Sequence, residues 1–306
     1  LYAVHPKEES IDGVPCVRAL ELLPEAVDLA VVAIPAEDAR DAIRKICERG
    51  LAHSIILIPG GFAETGKSSL EGEIIAALDA SRKSPAGGPV LVGGNCLGIV
   101  SKRQYNTFFL PHYKLPFHDA PGDVLAVISQ SGAYLVTLSS NYDGIIFPRA
   151  SISYGNQMDL TVSDLLEYYL DVDEVKVIGC YIEGFKPLDG ERFVALAREA
   201  RARGKRVIAF KGGKTPLGAK AALTAYDHGA APLLIEALNP VEARYSLRTL
   251  DMYPSNVSFC SGLIELATTS NISSLSDGVS AGVLQALPNA SMNGRSGRLR
   301  STDLSS

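Results

Sequence analysis

The chain has 306 residues, 46% of them apolar and 21% charged, which suits about two ordinary globular domains. A net charge of −5 argues against a broad basic face for nucleic acid, while leaving room for a local phosphate site. No run of about 18 apolar residues exists to span a membrane, and no signal-peptide pattern opens the chain.

From residue 1 to about 215 the pattern repeats strand, loop, helix. Val27 to Ile34 is a near-continuous apolar run, as expected of a strand buried on both faces of a parallel sheet. In Ala39 to Arg49 the residues Ala42, Ile43, Ile46 and Cys47 fall on one helical face, and Gly50 is a natural stop. Ser54 to Ile58 and Val90 to Val92 repeat the strand signal, and Leu70, Ile74, Ile75 and Leu78 make a helical stripe between them. Residues 111–122 carry three prolines and a glycine and read as a linker.

A second series follows. Val124 to Ile128 predicts a strand, Gly132 onward a helix, and Ala150 to Ser153 a short strand. Leu165, Leu166, Tyr169 and Leu170 form a helical stripe; Val175 to Cys180 and Val207 to Phe210 are strands around the helix Phe193 to Arg203. This alternation implies doubly wound parallel sheets. From about 230 the rhythm stops, and 251–306 is serine-rich with weak periodicity, which reads as a disordered extension or a small appended subdomain. The five cysteines (16, 47, 96, 180 and 260) form no CxxC pair and no metal-ligand spacing, so they read as cytosolic thiols. Leu at position 1 reads as a fragment or a processed product.

Ligands of open α/β sheets bind beyond the carboxyl ends of the strands, and four such loops here are rich in small residues. They are Ile34-Pro35-Ala36-Glu37, Pro59 to Gly66, Gly93 to Gly98, and Ser129-Gln130-Ser131-Gly132-Ala133. The last opens a helix. Unpaired N–H groups at a helix start, the hydroxyls of Ser129 and Ser131, and the small Gly132 make an anion cradle; an ordinary serine N-cap is the competing reading. No Lys-Ser/Thr follows the glycine, so this is no Walker loop, and SQSGA lacks the Gly-x-Ser-x-Gly spacing of a nucleophile elbow.

VHPK at 4–7, IPAED at 34–38, GGFAETG at 60–66, GGNCLGI at 93–99, PGDVLAVISQSGA at 121–133, SYGNQMD at 153–159, VIGCYIEGF at 177–185 and KGGKTPLGAKAA at 211–222 occur in order. This ordered set resembles the CoA-binding and adjoining flavodoxin-like domains of NDP-forming acyl-CoA synthetases, relatives of the succinyl-CoA synthetase alpha subunit. The resemblance covers about residues 1–223. It implies a Rossmann-like CoA-binding domain over 1–115 that lacks the first strand and helix, a flavodoxin-like domain over 121–230, and an irregular extension over 231–306.

The reaction it implies is acyl-CoA + NDP + phosphate ⇌ acid + CoA + NTP through an acyl phosphate and a phosphohistidine. Coenzyme A is then the ligand of this chain. ADP or ATP with Mg belongs to a partner ATP-grasp domain or subunit, with no role for nucleic acid or membrane.

Residue by residue, Lys7 matches the base that meets CoA phosphate, with a solvated surface charge as the alternative. Ile34 and Pro35 match the strand end against CoA; Gly60, Gly61 and Glu64 match the loop beside its arm; Asn95 and Cys96 match the pair near its thiol. A buried cysteine is usually a small core hydrophobe, so Cys96 is not assigned as a nucleophile. Ser129, Ser131 and Gly132 match the phosphate-binding helix start, and Glu183 the carboxylate paired with the catalytic histidine.

The chain also departs from the family pattern. It begins at what would be the second strand, without the glycine-rich pyrophosphate turn. The catalytic histidine position holds Ala225 in an ungapped match, whereas His228 fits if the loop carries an insertion. Neither Ala225 nor Tyr226 can relay a phosphoryl group, so a non-catalytic CoA-binding module is the alternative function.

Overall fold

The computed structural model describes residues 1–85, 87–111, 121–141, 143 and 145–212. They all fall in one compact unit, Leu1–Asn271. The expected linker, apart from its ends, and the expected tail lie outside the described residues, as do Ala225 and His228.

The chain opens with three short strands, β1 (Ala3–Val4), β2 (Ser10–Ile11) and β3 (Val14–Val17), in a small sheet of order β1-β3-β2. A parallel sheet follows, built from β4 (Val27–Val32), β5 (Ala52–Leu57) and β6 (Val90–Gly93) in that order. The helices α1 (Ala36–Arg49) and α2 (Ser68–Arg82) connect them. Helix α1 buries Ala36, Ala39, Ile43, Ile46 and Cys47, a stripe at helical spacing, and ends at Gly50. Gly50 is left-handed (φ 63°) and its N–H reaches the Ile46 carbonyl, the expected glycine stop.

The second sheet has six strands in the order β12 (Arg206–Lys211), β11 (Val177–Ile182), β9 (Leu125–Ser129), β10 (Ala150–Ser153), β7 (Gly98–Ser101) and β8 (Tyr105–Asn106). Four are parallel: β9, β10, β11 and β12. They alternate with α3 (Gly132–Asn141), α4 (Val162–Leu170) and α5 (Asp189–Ala202). Every residue of β9 is buried, as a central strand covered on both faces must be. Thr161 caps α4 in a reciprocal box with Asp164.

Two features differ from the reading of periodicity alone. The run beginning at Val27 was expected to be buried on both faces, yet Asp28 and Val31 are exposed, Val31 by 46%. The reason is that β4 pairs only with β5 among the described residues and so forms a sheet edge. The second feature is the hairpin β7 (Gly98–Ser101) and β8 (Tyr105–Asn106). In sequence it follows the first lobe, but β7 pairs antiparallel with β10 of the second sheet.

This crossing knits the two lobes together. Val92 of β6 packs in the core of the second sheet, and Met158, from the loop after β10, packs in the core of the first. Arg82 at the end of α2 forms a two-pronged pair with Asp159, whose Oδ2 also accepts from the Leu91 N–H at 2.8 Å. The carboxyl ends of strands from both sheets therefore converge.

Candidate active site

Five loops meet at that convergence: those after β4, β5, β6, β9 and β10, with the turn after β11 beside them. The segment 153–158 is the hub. The Asn156 N–H donates to the Gly94 carbonyl (2.7 Å) and the Met158 N–H to the Gly93 carbonyl (2.9 Å). Ser153 Oγ accepts from the Leu97 N–H at 3.0 Å. Gly155 is buried with φ 57°, and a Cβ there would lie 2.1 Å from the Gly94 carbonyl oxygen, so only glycine allows this approach.

The residues expected beside CoA divide into groups. Pro35 starts α1, and Ala36 packs on Gly61, within 3.5 Å of where a Cβ would stand; this seats the Ile34-Pro35 strand end against the Gly60-Gly61 loop. Ile34 is 43% exposed. A Cβ on Gly60 would meet Glu64 Oε1 at 3.0 Å and Asn95 Oδ1 at 3.2 Å, so these three share one corner. Both oxygens of Glu64 are occupied: Oε1 accepts from the Gly61 N–H and Oε2 from Asn156 Nδ2, each at 2.7 Å. Glu64 is thus a latch between the two lobes. Exposed Ile34 and the small glycine loop leave an open, apolar strand end.

Cys96 faces the other way. It is 3% exposed, its thiol donates to the Leu57 carbonyl at 3.2 Å, and burial pushes its pKa to about 12. That is a core thiol, in line with leaving it out as a nucleophile. Lys7 is exposed on a well-braced turn: His5 Nδ1 accepts from the Glu8 N–H at 2.9 Å, and Arg18 donates to the Pro6 and Lys7 carbonyls. No hydrogen bond among the described residues joins Lys7 to the other candidates.

At the start of α3 the two serines have different jobs. Ser129 is fully buried and donates to the Ser131 carbonyl at 2.8 Å. Ser131 Oγ accepts from the Tyr134 N–H at 3.2 Å, the N-cap geometry, which leaves its own proton to donate. The first N–H groups, on Gly132 and Ala133, have no intrahelical acceptor. Gly132 is also closely packed, since a Cβ there would sit 3.1 Å from Leu97 Cβ and Leu97 would have to give by a few tenths of an ångström.

Glu183 lies just past β11. Burial pushes its carboxyl up, against the lowering influence of the Tyr181 hydroxyl and of Lys211. The Tyr181 phenol is itself raised to about 12 by burial and by the Glu183 charge. Lys211 Nζ donates to the Glu183 and Gly212 carbonyls at 2.6 and 2.8 Å. Tyr154, fully buried, donates from its hydroxyl to the Tyr181 carbonyl at 3.2 Å. Sequence reasoning passed over Gln130, Asn156 and Gln157, which bind these loops to one another. The one signal for them is position: polar amides within four residues of the ends of buried strands, where turn chemistry alone does not call for them.

The fold and the loops define a CoA-binding domain joined to a succinyl-CoA ligase-like domain. The CoA binding domain family matches residues 1–102, and the succinyl-CoA ligase like flavodoxin domain family matches residues 121–232. The acetate–CoA ligase (ADP-forming) II alpha subunit of Pyrococcus furiosus is 34% identical over 225 residues, 72% of this chain and 46% of that protein. The acetate–CoA ligase (ADP-forming) I of Archaeoglobus fulgidus is 34% identical over 226 residues, 72% of this chain and 31% of that protein. The solved dinucleotide-forming acetyl-coenzyme A synthetase 1 of Ca. Korarchaeum cryptofilum, in complex with phosphate and ADP, superposes with a TM-score of 0.66 at 26% identity. That match covers 83% of this chain and 54% of that one. The chain thus carries a CoA binding domain followed by a succinyl-CoA ligase like flavodoxin domain, and it is similar to the corresponding portion of ADP-forming acetate–CoA ligases. It spans less than half the length of the two curated relatives named here. None of its described helices is long and apolar enough to cross a membrane.

Proposed function

We propose that the chain is the alpha-type portion of an NDP-forming acyl-CoA synthetase, working with an ATP-grasp domain or subunit that holds ADP or ATP and Mg. The observation that carries this reading is the convergence of the strand-end loops. A capped helix start with free N–H groups, a carboxylate raised by burial, and a small-residue CoA loop meet across two interlocked lobes. Each is a part the reaction needs. Phosphate held at Ser131 and Gly132 attacks the thioester carbonyl. The C–S bond breaks, CoA leaves as thiolate and takes a proton, and an acyl phosphate forms. An imidazole nitrogen then attacks phosphorus, the acid departs as carboxylate, and the phosphoryl group passes to the terminal oxygen of the nucleoside diphosphate.

Glu183 is the carboxylate that holds that imidazole in its reactive tautomer, and His228 is the proposed carrier. Lys7, Ile34, Pro35, Gly60 and Gly61 line the CoA side, with Glu64, Asn95 and Cys96 shaping the loops behind it. The four described cysteines are free thiols, which supports a reducing, cytoplasmic setting. The test is to incubate the chain with an acyl-CoA, ADP, phosphate and an ATP-grasp partner. ATP formation and an acid-labile, base-stable phosphoryl label on the chain, both lost in His228→Ala, are expected. Tight acyl-CoA binding without any label would replace this reading with that of a CoA-binding module.

A further inference from the structure

The Glu183–Gly184 turn is gripped from two sides by buried amides. Gln130, 3% exposed, turns its Oε1 to both N–H groups of the turn, at 2.7 Å from Glu183 N and 3.0 Å from Gly184 N. Gln157, fully buried, donates from Nε2 to the Gly184 carbonyl at 3.1 Å, while its own Oε1 accepts from the Val162 N–H. The Gln130 N–H in turn donates to the Tyr181 carbonyl at 3.0 Å. Gly184 is therefore held at both its N–H and its C=O, and Glu183 at its N–H, by side chains from the loops after β9 and β10.

This arrangement is costly as mere packing. Gln130 Nε2 is buried and has no acceptor among the described residues. An orphaned buried donor destabilises the fold, a cost that an apolar residue of the same volume would avoid. Gln157 also adopts φ 54°, a conformation uncommon outside glycine. What both amides achieve is a fixed backbone directly at Glu183. Two N–H groups demand an acceptor, so the orientation of the Gln130 amide is set by chemistry.

We infer that Gln130 and Gln157 are positioning residues that clamp the backbone of Glu183 and Gly184 and so aim the Glu183 carboxylate into the site. The inference rests on reading Glu183 as the carboxylate of the site, but the clamp can be tested without turnover. The charged and titratable groups coupled to Glu183 are Tyr181, Lys211 and the buried Tyr154, and no variant below removes them.

The test follows the titration of the Glu183 side-chain carboxyl by 13C NMR in the full chain, assigned with Glu183→Gln. In Gln130→Met and Gln157→Met the turn loosens and water reaches the carboxylate. Its midpoint is expected to fall toward the ordinary glutamate value. Gln130→Glu keeps an oxygen for both N–H groups, so it preserves the turn, but sets a second carboxyl nearby. Glu183 is then expected to titrate higher than in the wild type. Methionine variants that fold and leave the titration unmoved would overturn the clamp. Should they fail to fold, an unmoved or lowered titration in Gln130→Glu would overturn it equally. With an ATP-grasp partner, kcat is expected to fall about tenfold or more in the methionine variants with KM for CoA within about twofold, and Gln130→Glu to recover much of it. Absence of turnover in the wild type would count against the ligase reading alone, because the NMR titration still decides the clamp.

Discussion

Gly155→Ala tests how tightly the two lobes are locked at the site. The added methyl faces the Gly94 carbonyl oxygen at 2.1 Å and the Asn95 carbonyl oxygen at 2.6 Å, both backbone atoms that cannot rotate away. The left-handed backbone costs a non-glycine residue about 1–2 kcal/mol. Relieving the collision means separating 153–158 from 93–95, which breaks the Asn156 and Met158 N–H bonds to Gly94 and Gly93. Each such bond is worth about 1 kcal/mol, and more when its groups stay buried and unpaired. The sum is about 3–5 kcal/mol. Gly50→Ala is the internal control: Gly50 has φ 63° but nothing within 4 Å of a Cβ, so only the conformational cost of about 1–2 kcal/mol applies. Urea unfolding of both variants at equal m-value should place Gly155→Ala about 2–3 kcal/mol below Gly50→Ala. A difference under about 1 kcal/mol would refute the argument that backbone collision holds the loops in place.

Glu183→Gln should raise the thermal midpoint at pH 7 to 8, with the gain vanishing near pH 4. A carboxyl raised by burial favours the folded state fully below its ordinary value of 4.5 and loses that contribution as pH climbs through the raised folded value. An equal gain at all pH values would show that the effect is not ionisation. Glu64→Gln places an NH2 group where two donors need acceptors, so stability should drop by about 1–2 kcal/mol and the Gly61 amide resonance should move; unchanged shifts would exclude the latch. Ser131→Ala removes the cap of α3, for an expected loss of about 1 kcal/mol in urea unfolding and weaker phosphate binding by NMR shift titration. Phosphate binding at full strength in that variant would place the anion elsewhere.

Sequence alone determined the helices and the parallel strands β4 to β6 and β9 to β12, though not the short strands β1 to β3 or the hairpin β7–β8. The stripe of Ile43, Ile46 and Cys47 and the glycine at 50 delimit α1, and the apolar run at 125–128 marks a strand covered on both faces, because such periodicities depend only on local backbone geometry. The order of weak motifs carried the family resemblance in the same way, and Glu183 was legible as a carboxylate ending an apolar strand. Tertiary structure alone decided who meets whom. Gln130 reaches the Glu183 N–H across 53 positions of chain, and Asn156 reaches Glu64 across 92. No local period encodes such a pairing. It also decided that β7 joins the second sheet, that Val31 lies on an exposed edge, and that the Ser129 hydroxyl and the Cys96 thiol turn inward. Burial and hydrogen-bond partners are properties of the packed chain, and the same serine, cysteine or glutamine serves as ligand, cap or clamp according to what the fold sets opposite it.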